Sequence, residues 1–204
     1  MKKLILVSLT VLVTFSIHAA TVDYVLRMPE PHTHYFEVEM NISGTKGKYT
    51  DIKMPVWAPG SYLVREFSRN VEDVVATDAN GKSIEVEKQT KNTWRVQNGS
   101  NKSFTVNYRV YAFELSVRTS FLDASHGYVN GTSVFMFVDG NLKEPGKLKI
   151  EPFKEWEVIS TGMPKDGGFG EYKFSNYDQL VDCPIEIGNQ FVFEFNAAGV
   201  KHYV

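Results

Sequence analysis

The sequence predicts an all-β domain, an antiparallel β-sandwich with one short helix near its C-terminal end. Three observations support this fold class. Apolar and polar residues alternate along several segments, turn-forming dipeptides separate those segments, and 13% of the residues are aromatic. Alternation places one face of a strand against a core and the other in water, which is typical of antiparallel sheets. Aromatic side chains are common in strands and fill the cores that sheets enclose.

The predicted strands carry apolar residues at every second position. In chain order these positions are Val22, Tyr24, Leu26 and Met28; Phe36, Val38, Met40 and Ile42; Ile52, Met54 and Val56; Phe104, Val106, Tyr108 and Val110; and finally Phe191, Phe193 and Phe195. The run from Ser133 to Val138 differs because it is apolar without a break. That run predicts a central strand covered on both faces.

Turn signals lie between these segments. Asn80-Gly81 separates Val71–Ala76 from Ile84–Val86 and predicts a tight hairpin. Two further dipeptides mark turns: Asn98-Gly99 lies between Trp94–Val96 and the Phe104 strand, and Asp139-Gly140 closes the apolar run. We find no internal repeat and no linker to a second domain.

One short helix is predicted from Asn176 to Asp182. Ser175 or Asn176 provides a side chain that can cap its first turn, and Pro184 ends it. No long segment shows a convincing period of 3.6 residues, so the helical content is expected to be small.

The first 20 residues resemble a secretory signal peptide. Lys2 and Lys3 precede an apolar run from Leu4 to Ile17, and Ala19 and Ala20 offer a cleavage point. We therefore expect a signal peptide at 1–20, a domain at 21–204 and a secreted or periplasmic protein with no membrane span after cleavage. The net charge of -2 argues against a nucleic-acid partner.

Catalytic motifs are missing from the sequence. None of the five histidines forms an HExxH motif, and His32 and His34, two residues apart, make at most a weak metal site. Pro59-Gly60-Ser61 lacks the setting of a nucleophile elbow. Cys183 is the only cysteine, so no intrachain disulfide can form, and we expect a buried packing residue. We predict no catalytic residue, no metal ligand and no cofactor in this chain.

Two stretches are unusual for a β domain. In the first, Pro55–Phe67, prolines and a glycine stiffen a turn that carries Trp57, Tyr62 and Arg65. Two interpretations stay open: a well-packed corner in which Arg65 pairs internally, or a rigid ledge that meets a partner, because Trp, Tyr and Arg are frequent interface anchors.

The second stretch begins at Tyr111–Arg118, which is expected to continue a strand and contains Glu114 and Arg118. It leads into a loop predicted from Asp123 to Gly131. Loops between core strands often carry binding residues. The candidates there are Asp123, His126, Tyr128 and Asn130, and the alternative is a solvated hairpin loop.

Several motifs together resemble the N-terminal domain of the family-61 metallopeptidases, the glycyl aminopeptidases. In order they are WAPGSYLVREFSRNV at Trp57–Val71, KNTWRV at Lys91–Val96, YAFELSVR at Tyr111–Arg118, HGYVNGTSVFM at His126–Met136, YDQLVDCPIEIG at Tyr177–Gly188, and the segment Gly199–His202. The resemblance covers nearly the whole chain, from about Val22 to Val204.

The resemblance implies a secreted peptidase whose full form adds a thermolysin-like zinc domain and a PDZ domain. The family's HExxH helix and its distant glutamate ligand lie after the point that corresponds to Val204. No metal ligand or general base is therefore carried over, and zinc is expected only in the catalytic domain. We expect a domain fragment, either excised from a longer protein or the product of a shortened gene.

By this resemblance, the domain would dock the catalytic domain and wall the cleft for short peptides with small N-terminal residues such as Gly or Ala. Glu114 and Asp123 are candidates to bind the substrate ammonium group, because a rigidly held carboxylate suits that charge. The alternative is a stand-alone secreted module that binds peptide or carbohydrate, with Trp57, Tyr62 and Tyr128 as an exposed aromatic platform.

Overall fold

A computed structural model describes residues 20–204, and the predicted signal peptide lies almost entirely outside the described residues. The described part contains one α-helix, α1 (Tyr177–Asp182), and short 3-10 turns at Pro31–Thr33, Phe67–Asn70 and Gly131–Ser133. The strands are β1 (Thr21–Arg27), β2 (Tyr35–Ser43), β3 (Thr50–Lys53), β4 (Val71–Asp78), β5 (Ser83–Ile84), β6 (Val86–Thr90), β7 (Thr93–Val96), β8 (Ser103–Tyr111), β9 (Phe121–Leu122), β10 (His126–Val129), β11 (Phe137–Val138), β12 (Gly146–Glu151), β13 (Val158–Thr161), β14 (Glu171–Phe174), β15 (Ile185–Gly188), β16 (Glu194–Ala197) and β17 (Val200–Tyr203).

The strands form several sheets. The largest has seven strands in the order β14-β12-β1-β2-β8-β4-β5, and two four-stranded sheets have the orders β13-β15-β10-β9 and β11-β3-β7-β6. Strands β16 and β17 pair only with each other. Neighbouring strands are antiparallel apart from β1 and β12, which run parallel. The predicted all-β, mainly antiparallel fold with one short helix is confirmed.

Three of the alternating segments form the central strands β1, β2 and β8 of the seven-stranded sheet. The predicted strand Ile52–Val56 is shorter than expected, since β3 ends at Lys53 in a four-stranded sheet and Val56 is exposed. The apolar positions in β1, β2 and β8 are all buried, and the residues between them are not. Opposite positions match across the strands, for example Met40 with Tyr24 and with Val106. Each such side chain contributes about 1.5–3 kcal/mol on burial. A core of this size explains how the chain folds without a disulfide bond.

The predicted central strand at Ser133–Val138 is wrong, although its burial was predicted correctly. The segment begins in the 3-10 turn Gly131–Ser133, and only Phe137 and Val138 join a sheet. Val134, Phe135 and Met136 are fully buried but have no strand partners for their backbone groups. Three tyrosine hydroxyl groups take that role instead.

These hydroxyl groups come from distant parts of the chain. Tyr108 donates to the Val134 carbonyl (2.9 Å) and accepts from the Met136 amide (2.9 Å). Tyr24 donates to the Met136 carbonyl (2.7 Å), and Tyr177 donates to the Phe135 carbonyl. Buried backbone groups must find hydrogen-bond partners, and here buried phenols replace the ladder of a neighbouring strand.

The turn and helix predictions had mixed outcomes. At Asn80-Gly81, the Gly81 amide donates to the Asp78 carbonyl and the β4–β5 hairpin forms, as predicted. Asn98-Gly99 instead connects β7 to β8, which lie in different sheets. Helix α1 is confirmed with Asn176 as its cap, since the Asn176 side chain accepts from the Gln179 amide (2.9 Å).

Two boundaries in the second unusual stretch need correction. Strand β8 ends at Tyr111, and the residues up to Arg118 turn back, because the Thr119 hydroxyl bonds the Glu114 carbonyl. The predicted loop Asp123–Gly131 contains strand β10, since its backbone pairs with β15 and β9. The final predicted strand, Phe191–Phe195, forms only from Glu194, as the first half of the β16–β17 hairpin.

Candidate functional site

Most of the predicted site residues meet at the four-stranded sheet β13-β15-β10-β9. Tyr128 on β10 lies opposite Glu186 on one side and Phe121 on the other, and Ser160 lies beyond Glu186. Opposite residues share a face of a sheet, and His126, two residues before Tyr128, shares it too. The outer sheet face is defined here by Phe121, His126, Tyr128, Ser160 and Glu186. The opposite face packs into the core through Leu122, Val129, Ile185 and Ile187.

Glu186 is the carboxylate of the outer sheet face, in the strand between β13 and β10. Its Oε1 atom lies 3.7 Å from Nε2 of His126, and the two side chains are 36% and 31% exposed. Burial raises the pKa of the Glu186 carboxyl above its usual value, and the charge of His126 opposes that shift. A partly desolvated carboxylate of this kind can bind a cation, including an ammonium group.

Asp123 organises the turn that enters β10. Its Oδ1 atom accepts hydrogen bonds from the backbone amides of Ser125 (2.7 Å) and His126 (3.3 Å), and from the Ser125 hydroxyl. These bonds, with the Ser125 hydroxyl first, hold the pKa of Asp123 below its usual value. This carboxylate is therefore largely engaged in shaping the turn.

The same turn places a serine beside a histidine without making a nucleophile. The Ser125 hydroxyl lies 2.9 Å from Nδ1 of His126. Its single proton already goes to Asp123, so Nδ1 of His126 acts as the donor in this contact. A general base would need the opposite arrangement, in which the ring accepts the serine proton.

A row of rings extends the outer sheet face toward the start of β2 and the end of β8 in the seven-stranded sheet. The ring of His126 lies 5.1 Å from that of Phe121, which stacks on Phe113 at 5.3 Å. Phe113 in turn lies 3.8 Å from the ring of His34, whose Nδ1 bonds the Leu122 carbonyl. Phe113 is 51% exposed. The row therefore offers a contact surface for an apolar or planar group.

The turn that carries Glu114 and Arg118 borders this face. Asn130 fixes the turn, because its side-chain amide donates to the Val117 carbonyl (3.0 Å) and its backbone amide donates to Ser120 (2.9 Å). Glu114 and Arg118 are themselves exposed. Asn130 thus acts on the site by positioning, whereas Glu114 and Arg118 extend into solvent.

The other three predicted residues lie in the loop between Pro55 and Phe67. Arg65 closes this loop, since its amide bonds the Val56 carbonyl (2.7 Å) and its guanidinium bonds Ser61 (2.8 Å). Trp57 packs at right angles to Tyr177, beside a cavity of about 550 Å³ next to helix α1. Tyr62 is fully exposed. The loop therefore combines both interpretations, since Arg65 bonds within the loop and Tyr62 is exposed at its tip.

The structure joins these two regions only indirectly. The 3-10 turn Gly131–Ser133 follows Asn130 and contacts both helix α1 and the 3-10 turn Phe67–Asn70. Glu114, Arg118, Asp123, His126, Tyr128 and Asn130 lie at the outer sheet face or its border, and Trp57, Tyr62 and Arg65 lie in the loop before Phe67. Trp57 and Tyr62 lie in that loop whereas Tyr128 lies on β10, so the three rings do not form one aromatic platform.

Sequence reasoning missed Glu186. The residue is separated from Tyr128 by more than 50 positions, and only the pairing of β10 with β15 brings them opposite each other. Its position in the short strand sequence IEIG marked it as outward-facing, but no local signal indicated its neighbours.

The described residues do not fit a zinc site. No group of three His, Cys, Asp or Glu side chains within residues 20–204 is arranged to hold a metal ion. Burial raises the pKa of the Cys183 thiol, which disfavours the thiolate that metals and nucleophilic reactions require. In the same part of the chain, no helix is long and apolar enough to cross a membrane.

Comparisons with known proteins identify the family. The model of the Peptidase M61 N-terminal domain matches residues 23–189. Six chains of solved structures match. One of them, a crystal structure of an aminopeptidase N family protein from Idiomarina loihiensis, is 35% identical with a TM-score of 0.84, over 90% of this chain and 32% of that chain. A comparison with curated proteins found no match.

This chain therefore spans about a third of the length of that solved relative. The match to the family model covers most of the chain, and the solved relative has the same fold at substantial identity. The predicted resemblance is confirmed: the chain belongs to the Peptidase M61 N-terminal domain family and is a peptidase-associated N-terminal domain.

Proposed function

We propose that this chain is the non-catalytic N-terminal domain of a secreted zinc aminopeptidase, and that its outer sheet face forms one wall of the substrate cleft. The substrates would be short peptides with small N-terminal residues such as Gly or Ala. One observation supports the cleft role above others: the half-buried Glu186 carboxylate lies beside His126, on the face that also carries Tyr128.

The chemistry of the proposal divides between two parts of the enzyme. The peptidase unit would supply zinc and cleave the peptide bond. This chain would bind the free amino terminus of the peptide and keep it in register with the cleavage point. Such positioning accelerates a reaction because the entropy of alignment is lost on binding and not in the transition state.

Glu186 suits the amino terminus better than the two carboxylates predicted from sequence. Glu114 is exposed to water, where an ion pair is worth little. Asp123 already accepts hydrogen bonds from its own turn. Glu186 is partly desolvated, so an ammonium group would replace lost hydration, and the adjoining rings of Phe121 and Tyr128 would contact the rest of the peptide.

The test uses a fusion protein, defined as this chain followed by the part of the Idiomarina loihiensis protein that it does not match. At pH 8, the fusion protein is expected to hydrolyse Gly-p-nitroanilide, and this chain alone is not. Glu186→Gln in the fusion protein should raise KM about tenfold with kcat little changed, because it removes a charge-assisted contact that substrate and transition state share.

Glu114→Gln is the matched control, since it neutralises a nearby exposed carboxylate, and its KM should stay within about twofold of the unmodified fusion. Turnover by this chain alone would contradict the non-catalytic role. A KM increase confined to Glu114→Gln would assign the amine contact to Glu114 and remove Glu186 from the proposal.

The secreted location is a separate part of the proposal. Strand β1 begins at Thr21, so cleavage after Ala19 or Ala20 would leave all described strands intact. The carbonyl of Ala20 is also held by the Asn141 side chain. N-terminal sequencing of the chain exported by a bacterial host should give Ala20 or Thr21 as the first residue. A cytoplasmic product that retains Met1 would contradict it.

A further inference from the structure

The C-terminal hairpin differs from the rest of the chain in its exposure. Strands β16 and β17 form a sheet of their own, and every residue in both strands is exposed. The turn at Ala198 and Gly199 has positive φ at both residues (51° and 76°), a geometry that matches the natural twist of a two-residue hairpin. The hairpin therefore has regular local geometry, but its side chains bury little surface against the domain core.

The two faces of this hairpin are chemically different. Phe195 lies opposite His202, with their rings stacked at 4.9 Å, and Phe193 exchanges two backbone hydrogen bonds with Val204. Since residues two apart share a face, this apolar hairpin face consists of Phe193, Phe195, Ala197, Val200, His202 and Val204. The other face carries Glu194 and Lys201, which form an ion pair at 2.6 Å.

An apolar face of this kind needs a cover. Phe193, Phe195, Val200 and Val204 are 48%, 45%, 59% and 60% exposed. An isolated two-stranded hairpin is at most marginally stable in water, and exposed apolar clusters on soluble domains usually mark contact sites. On the opposite face, in contrast, Glu194 and Lys201 already pair with each other, and their charges favour contact with water.

The comparisons indicate what the cover is. The family model ends at residue 189, before the hairpin begins, and the matched region makes up only 32% of the solved relative. The hairpin thus follows the segment that the family model matches, and the remaining two thirds or so of the solved relative are large enough to cover its apolar face.

We propose that the apolar hairpin face docks into the core of the peptidase unit, with the Glu194–Lys201 face turned to solvent. This inference rests on the proposed function, because it takes the peptidase unit as the partner. The hairpin then packs as part of the unit that cleaves the peptide while it remains covalently joined to this domain. It thereby fixes the orientation of the outer sheet face relative to that unit.

Hydrogen exchange tests the inference on the peptide 191–204, in this chain alone and in the fusion protein. We expect exchange about 100-fold slower in the fusion, because docking protects strands that otherwise open freely. Phe195→Asp, on the apolar hairpin face, should return the exchange to the rate in this chain alone. Asn196→Asp, the adjacent residue on the opposite face, is the matched control and should keep the protection.

Two results would overturn the inference. The first is equal exchange in both proteins while the fusion binds one zinc ion and turns over substrate, which shows that the unit is folded. The second is protection in this chain alone together with a dimer in sedimentation, since a second copy would then cover the face. Unprotected exchange of 191–204 in the fusion, together with the expected KM increase for Glu186→Gln, would remove this inference and leave the proposed function in place. Protected exchange together with an unchanged KM for Glu186→Gln would keep the docking of the hairpin and remove the role of Glu186 in the proposed function.

Discussion

Replacing Tyr108 by phenylalanine is expected to lower the free energy of unfolding by about 3 kcal/mol. The fully buried hydroxyl group bonds both the Val134 carbonyl and the Met136 amide. Phenylalanine keeps the ring and its packing but leaves both backbone groups without partners in a dry core, and each orphaned group costs about 1–3 kcal/mol. Urea denaturation at pH 7, with the midpoint and slope fitted together, measures the change.

Other tyrosine substitutions calibrate this result. Tyr24→Phe and Tyr177→Phe each remove the partner of one carbonyl, so each should cost about half as much as Tyr108→Phe. Tyr62→Phe, at a fully exposed position, should stay within about 0.5 kcal/mol of the unmodified protein. A cost below about 1 kcal/mol for Tyr108→Phe would show that water replaces the hydroxyl group and reaches the backbone of Val134–Met136.

The tyrosine contacts also show where sequence reasoning reached its limit in the fold. Strands β1, β2 and β8 were predicted because burial on one face leaves a period of two in the sequence itself. The run Ser133–Val138 has no period, and an unbroken apolar run indicates burial without indicating a strand. What satisfies its backbone is set by residues up to 112 positions away, and no local pattern records such partners.

A similar limit applies to the candidate site. His126, Tyr128 and Asp123 were found because polar and aromatic residues concentrate in one short stretch between apolar segments. Glu186 could not be found that way, since its contact with His126 follows from the register of β10 against β15. The amphipathic hairpin falls between these cases: the alternation of Phe193 and Phe195 is visible in the sequence, but no local pattern shows that these side chains remain exposed.

The same buried phenols predict a steep loss of stability in alkali. Burial raises the pKa values of Tyr24, Tyr108 and Tyr177 above the usual value near 10, so the folded protein keeps these protons where the unfolded chain releases them. Stabilisation from these groups is therefore complete below about pH 10 and is lost as pH rises further. Three groups should together lower the free energy of unfolding by about 4 kcal/mol per pH unit just above pH 10, which is a large part of the whole stability of an ordinary domain.

Urea denaturation at pH 8, 10, 11 and 11.5, with phenolate absorbance recorded in parallel, measures this dependence. Tyr24→Phe is the informative variant because it removes one of the three phenols and leaves every other titrating group in place. Its slope above pH 10 should be smaller by about 1.4 kcal/mol per pH unit, even though the variant is less stable at neutral pH. Equal slopes, or phenolate absorbance from all ten tyrosines near pH 10 in a protein that is still folded, would mean that these hydroxyl groups exchange with solvent. In that case the tyrosines would not keep water from the segment Val134–Met136. Its stabilisation would come from apolar packing and from the hydrogen bonds that the Val134 and Phe135 amides donate to the Gly131 carbonyl.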